Sequence, residues 1–150
     1  MTTEQQLKRE WLNRAFYAEK KLNALLHKRE CDRQRARRIT AAIDGNDKGK
    51  SNSRSNGTEE ALFKLLGSDE EYSSYLKEYL DIRHEIETAI HTLEDPEIEA
   101  IFTNRYLSYM KLEENSMNIR YSIDTIKRKH RKGLDKIKLP PDALECTLKK

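Results

Sequence analysis

The chain has 150 residues, the size of a single domain or of a small domain with an extended accessory element. Charged residues make up 37% of it and hydrophobic residues 36%, with only 5 glycines and 3 prolines, which favours long exposed helices over a compact sheet protein. No apolar run approaches the length of a membrane span and residues 1–11 contain no hydrophobic secretory segment, so we expect a cytoplasmic protein with no membrane partner.

The formal net charge of +3 hides a strong segregation of charge along the chain. Residues 1–43 carry eleven basic and five acidic side chains, whereas residues 59–100 carry three basic and thirteen acidic ones. Residues 120–138 are basic again, with eight basic and two acidic side chains, a difference of +6. This last segment is a candidate footprint for a polyanion, although a charged helix face is more often only solvated.

Two long amphipathic helices are predicted within residues 1–93. Apolar residues recur at spacings of three and four, which is typical of helices packed along a seam, and the first helix is expected to run for roughly forty residues. Residues 44–58 contain three glycines and no apolar residue, so they are predicted to form a flexible link. The two helices have opposite charge, which favours an antiparallel hairpin.

An arginine-rich run near the end of the first helix has two interpretations. It could bind nucleic acid, or it could pair with the acidic side of the second helix, and the hairpin arrangement favours pairing. The run comprises Arg29, Arg33, Arg35, Arg37 and Arg38, and its expected partners are Glu59, Glu60, Asp69, Glu70 and Glu71.

A second domain of three short helices is predicted over residues 94–139, followed by a C-terminal tail at 140–150. Asp95 and Pro96 suit the cap and first position of a helix, and residues 112–119 suit a second one. Ser122 can cap a third helix that begins at Ile123 and ends near Lys138, before two prolines. Three short helices with a basic last member suggest a helix-turn-helix.

The basic helix is predicted to be amphipathic. Its core face should contain Ile123, Ile126, His130, Leu134 and Ile137. In a helix-turn-helix, the N-terminal part of the second helix meets base edges, so Asp124, Thr125 and Arg128 are the expected readers. The full set of predicted DNA-binding residues is Ser122, Asp124, Thr125, Lys127, Arg128, Lys129, Arg131, Lys132 and Lys136.

Residues 93–137 resemble the last region of bacterial sigma factors. The matching positions are Leu93, Ile98, Ile101, Arg105, Tyr106, Ser122, Ile126, Arg128, Leu134 and Ile137. With the helical hairpin in front, residues 5–138 look like the small phage and prophage transcriptional regulators of the ArpU and RinA type. The resemblance implies a sigma-factor-like helix-turn-helix that binds double-stranded DNA at a promoter and acts with host RNA polymerase.

Three residues depart from the family pattern. Asn115 and Ser116 stand where an apolar residue and alanine are usual, and Arg120 stands where the turn usually has glycine. A buried asparagine needs hydrogen-bond partners, and a non-glycine residue in a left-handed turn is strained.

Other sites have weaker support. His84, Glu87 and His91 share a helical face but lack a fourth metal ligand, and solvated side chains are the commoner explanation. No catalytic arrangement, cofactor motif or phosphate loop is recognisable, so an enzyme is not predicted. The alternative to a DNA-binding regulator is a helical interaction module that forms a homodimer or docks on a partner such as RNA polymerase, with a degenerate helix-turn-helix.

Overall fold

A computed structural model describes residues 1–44, 53–143 and 145, and within these ranges the regular structure is entirely helical. The prediction had placed a long antiparallel helical hairpin before a small three-helix helix-turn-helix domain, and its all-α class is confirmed. The elements are α1 (Thr3–Leu12), α2 (Arg14–Asp44), α3 (Ser53–Ile90), α4 (Pro96–Phe102), a π-helical turn (Thr103–Leu107), α5 (Leu112–Ile119) and α6 (Ile123–Lys136).

The first long helix is interrupted once, at Asn13, where a single uninterrupted helix was predicted. The N-terminal piece begins with a capping box, in which the Gln5 backbone N–H donates to the Thr2 hydroxyl at 3.3 Å and the Thr2 N–H donates to the Gln5 side chain at 3.1 Å. At the break, Arg14 Nε donates to the carbonyl of Trp11 at 3.3 Å. Side-chain hydrogen bonds of this kind compete with the helical ladder, which explains why apolar spacing alone did not reveal the break.

The predicted link at 44–58 is shorter in the structure. Asp44 ends α2 and α3 already begins at Ser53, so residues 53–58 are helical, while residues 45–52 of the predicted link lie outside the described residues. Extending an existing helix gains one hydrogen bond for each residue that is fixed, which allows it to pass through residues of low helix propensity.

Side-chain contacts confirm that α2 and α3 lie antiparallel. Lys21 lies 4.1 Å from the ring centroid of Tyr75, Lys28 pairs with Glu71 at 3.7 Å, and Arg29 pairs with Asp69. The residue numbers of the partners on α3 decrease as the residue numbers on α2 increase, which only an antiparallel pair permits. Arg29 therefore pairs between helices, as the hairpin interpretation expected, whereas Arg33 pairs with Glu30 of its own helix at 3.7 Å.

The chain divides into two compact units whose boundaries differ from the predicted division at residue 93. The terminal unit comprises Met1–Ala18 and Tyr79–Lys150, and the middle unit comprises Glu19–Glu78. The reason is a shared core, because the ends of the hairpin pack with the helices that follow it. The buried cluster contains Trp11, Leu12, Ala15, Ile86, Ala89, Ile90, Leu93, Ile98, Ile101, Phe102, Tyr106, Leu107, Ile126, Leu134, Ile137 and Ala143.

Helix α1 also makes polar contacts with α6. Gln5 Nε2 donates to Asp135 Oδ1 at 2.5 Å, and the ammonium of Lys8 donates to the carbonyl of Leu134 at 3.1 Å. Lys8 is only 8% exposed and also pairs with Glu4 at 3.0 Å, so its buried charge has both an acceptor and a counter-ion. These contacts fix the last turn of α6 against the N-terminus of the chain.

Helices α4 and α6 approach closely at Gly133. A Cβ atom at this position would lie 2.3 Å from Phe102 Cε2 and 2.6 Å from Ile98 Cγ2, well inside van der Waals contact. Gly133→Ala is therefore expected to lower the free energy of unfolding by about 1 to 3 kcal/mol, measured by urea or thermal unfolding.

Gly67 supplies the matched control. A Cβ there would meet no heavy atom within 4 Å, so Gly67→Ala in the interior of α3 should raise helix stability by about 0.5 to 1 kcal/mol. If the two substitutions shift stability in the same direction by similar amounts, the close approach of α4 and α6 at Gly133 is refuted.

Candidate nucleic-acid interface

Helix α6 begins where the sequence predicted. Ser122 has an extended backbone and its hydroxyl accepts a hydrogen bond from the Thr125 backbone N–H at 3.3 Å, which satisfies one of the unpaired donors of the first turn. The helix ends at Lys136, two residues before the predicted end at Lys138. Ile137 leaves the helical conformation and is 3% exposed, so its burial in the core stops the helix before the prolines do.

The buried face of α6 agrees with the prediction at four of its five positions. Ile126, His130, Leu134 and Ile137 are buried, but Ile123 is 38% exposed. Helical side chains lean toward the N-terminus, so the side chain of the first residue projects past the end of the core. Gly133, which periodicity did not single out, belongs to the buried face instead.

His130, the polar residue of this buried face, forms a hydrogen bond with a buried partner. The Tyr106 hydroxyl and His130 Nε2 lie 2.6 Å apart, and His130 stacks on Phe102 with the ring centroids 5.1 Å apart. Burial, together with the positive charges of Arg9, Arg105 and Arg131, lowers the pKa of His130 to about 4. The imidazole is therefore neutral near pH 7 and accepts the hydrogen bond from Tyr106, whose own pKa is raised by burial.

The turn between α5 and α6 tolerates Arg120 in the left-handed conformation, at φ 64° and ψ 38°. The Arg120 N–H donates to the Ser116 carbonyl at 2.9 Å, and the Ser116 hydroxyl donates to the carbonyl of Tyr121. Serine at a position where alanine is usual thus supplies a bond that closes the turn, which offsets the strain of a non-glycine residue there.

Asn115 is fully buried and has partners on both sides of its amide. Its Nδ2 donates to the carbonyl of Ile101 at 2.9 Å, and its Oδ1 accepts from Asn104 Nδ2 at 3.3 Å. Asn104 Nδ2 also lies 3.2 Å from Asn118 Oδ1. The asparagine that departs from the family pattern therefore joins α5 to the end of α4 and to the π-helical turn, and it leaves no unpaired polar group.

The predicted DNA-binding residues fall into three groups around α6. The outward face carries the exposed side chains Asp124, Arg128, Lys132 and Lys136, with Ser122 exposed at the cap and Thr125 half-buried beside it. Lys127 and Arg131 are exposed on one flank, next to α1. Lys129, on the opposite flank, pairs with Glu97 and lies 4.8 Å from the ring centroid of Tyr121.

The pairing of Lys129 changes its expected role. Its side chain is 23% exposed and its charge is compensated by Glu97. A phosphate would have to displace that carboxylate, so Lys129 is a weaker candidate for a phosphate contact than Arg128 or Lys132. Sequence spacing could not reveal this, because Glu97 belongs to another helix.

Two basic residues beside α6 were missed by the sequence analysis as site residues. Arg9 from α1 and Arg105 from the π-helical turn line a cavity together with Lys127 and Arg131. Arg105 Nη1 donates to the carbonyl of Met110 at 3.1 Å, which fixes its position. No local sequence pattern marked Arg9 as a site residue, since α1 was expected to belong to a separate hairpin.

The candidate metal cluster has another explanation. His91 Nδ1 lies 3.0 Å from Glu99 Oε1, and His91 Nε2 lies 3.8 Å from Glu87 Oε1. Across the residues described here, no group of three or more histidine, cysteine, aspartate or glutamate side chains is arranged to hold a metal ion. In the same part of the chain, every helix is too short or too polar to cross a membrane.

A helix, a three-residue connection with a left-handed residue, and a second capped helix form the local topology of a helix-turn-helix. Comparison of the chain with protein-family models, with curated proteins and with solved structures finds no match.

Proposed function

We propose that this protein is a DNA-binding transcriptional regulator that places α6 in the major groove of double-stranded DNA. The observation that carries the proposal is the outward basic face of a helix whose opposite face is anchored in a core. Asp124, Arg128 and Lys132 follow one another at four-residue spacing on that face and are all exposed. The N-terminal part of α6 is also free of the contacts that α1 makes with its last turn.

The sequence resemblance extends this proposal. A regulator of the ArpU and RinA type would be encoded by a phage or prophage and would act at a promoter with host RNA polymerase. The three positions that depart from the family pattern are compatible with a helix-turn-helix turn, because Asn115, Ser116 and Arg120 all have hydrogen-bond partners.

Substitution of two cations on α6 tests the proposal. Arg128 is one turn into the helix, where base edges are read, so Arg128→Ala should weaken binding to the cognate duplex by about 1 to 3 kcal/mol and reduce its preference over random duplex. Lys132, one turn further on, is exposed and is expected to contact a phosphate. Lys132→Ala should weaken both duplexes alike and lower the slope of log affinity against log salt by about one.

The measurement is fluorescence anisotropy against salt concentration, on DNA fragments from the region flanking the gene and on random duplex. Circular dichroism of each variant checks that it is folded. Unchanged affinity and salt dependence in a folded Arg128→Ala protein would show that α6 is not the reading helix.

A second candidate function is a protein-docking module, for example on RNA polymerase. It is favoured by three exposed apolar side chains close to the turn, Met117 at 82%, Tyr121 at 36% and Ile123 at 38%. Folded protein that binds no duplex at low salt, yet loses a polymerase or self-association interaction on Met117→Ser, would favour this function. Analytical ultracentrifugation would distinguish a homodimer from docking on another protein.

A further inference from the structure

Four cationic side chains from separate parts of the terminal unit line one cavity beside α6. Its volume is about 210 Å³, and its charged lining consists of Arg9 from α1, Arg105 from the π-helical turn, and Lys127 and Arg131 from α6. Met1, Leu112 and His130 complete the lining. The chain thus brings positive charge together from positions up to 122 residues apart, from Arg9 to Arg131.

The described ion pairs of the terminal unit place no counter-ion in direct contact with these four cations. Among the carboxylates of these helices, Glu4 pairs with Lys8, Glu97 pairs with Lys129, and Asp135 accepts a hydrogen bond from Gln5. None of the four lining cations forms an ion pair with a described carboxylate. Like charges held at one cavity repel one another, so an anion bound there would stabilise the fold.

Burial and this same local field together lower the pKa of His130. After burial, the causes of the depression are the charges of Arg9, Arg105 and Arg131, three of the four cations at the cavity. The imidazole itself is neutral near pH 7 and its Nε2 is occupied by Tyr106. The positive potential at the cavity therefore comes from the guanidinium and ammonium groups that line it.

We infer that this cavity binds a phosphate group through Arg9, Arg105, Lys127 and Arg131. Arginine presents planar pairs of N–H donors that match phosphate oxygens, and lysine adds a mobile point charge. A cavity of about 210 Å³ has room for a phosphate group together with bound water. The phosphate could come from the DNA backbone, a case that rests on the proposed function, or from a small phosphorylated molecule.

The first experiment uses inorganic phosphate and the full-length protein. Thermal unfolding is followed in phosphate and in chloride at equal ionic strength and pH, for wild type, Arg9→Gln, Lys127→Gln and Lys77→Gln. Lys77 is an exposed cation of α3 outside the terminal unit, so its substitution matches the change of charge. We expect phosphate to raise the Tm of wild type and of Lys77→Gln, and the apparent phosphate affinity of the two cavity variants to fall tenfold or more.

The second experiment measures binding of the same proteins to duplex DNA. If a backbone phosphate occupies the cavity, Arg9→Gln should weaken cognate and random duplex alike, lower the salt slope by about one, and make DNA binding insensitive to added phosphate. If the source is a small molecule, Arg9→Gln should abolish stabilisation by phosphate and leave DNA affinity unchanged.

The outcomes separate this inference from the proposed function. It is overturned if phosphate stabilises all four proteins equally or none of them, and Arg9→Gln also binds DNA as wild type does. In that case DNA binding that depends on Arg128 would still support the regulator. The converse result is that wild type binds no DNA while phosphate stabilises only wild type and Lys77→Gln. That result would refute the proposal of a DNA-binding regulator and support the phosphate site.

Discussion

Replacing Trp11 with alanine is expected to lower the free energy of unfolding of the terminal unit by about 3 to 5 kcal/mol. Trp11 lies in the N-terminal helix but is 2% exposed, and it belongs to the same buried cluster as Ile126 and Leu134 of α6. Loss of the indole would leave a large cavity in a core that is shared by the first and last helices. The helix-turn-helix should therefore lose stability through a residue outside the segment predicted to form it.

Amide hydrogen exchange resolves this effect by region. Protection should fall in α4, α5 and α6 of Trp11→Ala, whereas Leu26→Ala, which removes a side chain that is 46% exposed in the middle unit, should change it little. A fragment limited to residues 94–139 should likewise lack a cooperative unfolding transition. If that fragment melts cooperatively and Trp11→Ala leaves exchange in α6 unchanged, the helix-turn-helix is an independent domain after all.

Acidification should destabilise the terminal unit through His130. The pKa of this imidazole is about 4 in the folded protein, against an ordinary value of 6.5, because burial disfavours its charged form. The unfolded chain therefore takes up the proton first as pH falls. The stabilisation is fully present above about pH 6.5 and is lost as pH falls to about 4, a change of about 3 kcal/mol.

The matched comparison is His130→Gln, which removes the titrating group and keeps a polar side chain opposite Tyr106. Free energies of unfolding are measured by urea denaturation between pH 7 and pH 4 for both proteins. All other ionisable groups are common to the two proteins, so the difference in slope isolates His130 and should approach about 1.4 kcal/mol per pH unit, the value for one proton. Parallel curves would show that His130 is not protected from protonation in the folded state.

Local signals in the sequence were sufficient to predict the start and most of the buried face of α6. The capping residue Ser122 and the spacing of Ile126, His130 and Leu134 are properties of a single helix, and the structure confirms them. The long seams likewise predicted an antiparallel pair, which the contacts of Lys28 and Arg29 bear out.

The features that escaped prediction depend on contacts between distant segments. Gln5 and Asp135 are 130 positions apart, and neither lies in a pattern that refers to the other. Gly133 matters only because α4 crosses α6 at that point. The partners of Asn115 come from the end of another helix and from a π-helical turn, a backbone form that periodicity does not reveal. Such contacts arise from packing, so they require the fold to be known.

The close contact at Gly133 has a consequence for how α6 would meet a duplex. The backbone of α6 at Gly133 packs against Phe102. The Leu134 carbonyl accepts a hydrogen bond from Lys8, and His130 accepts one from Tyr106. Contacts on three sides restrict sliding and rotation of α6, so we expect it to enter a groove with little loss of conformational entropy. Adjustment of the fit would then fall to the long exposed side chains of Arg128 and Lys132 and to bending of the DNA, so that deformability of the duplex would contribute to the choice of site.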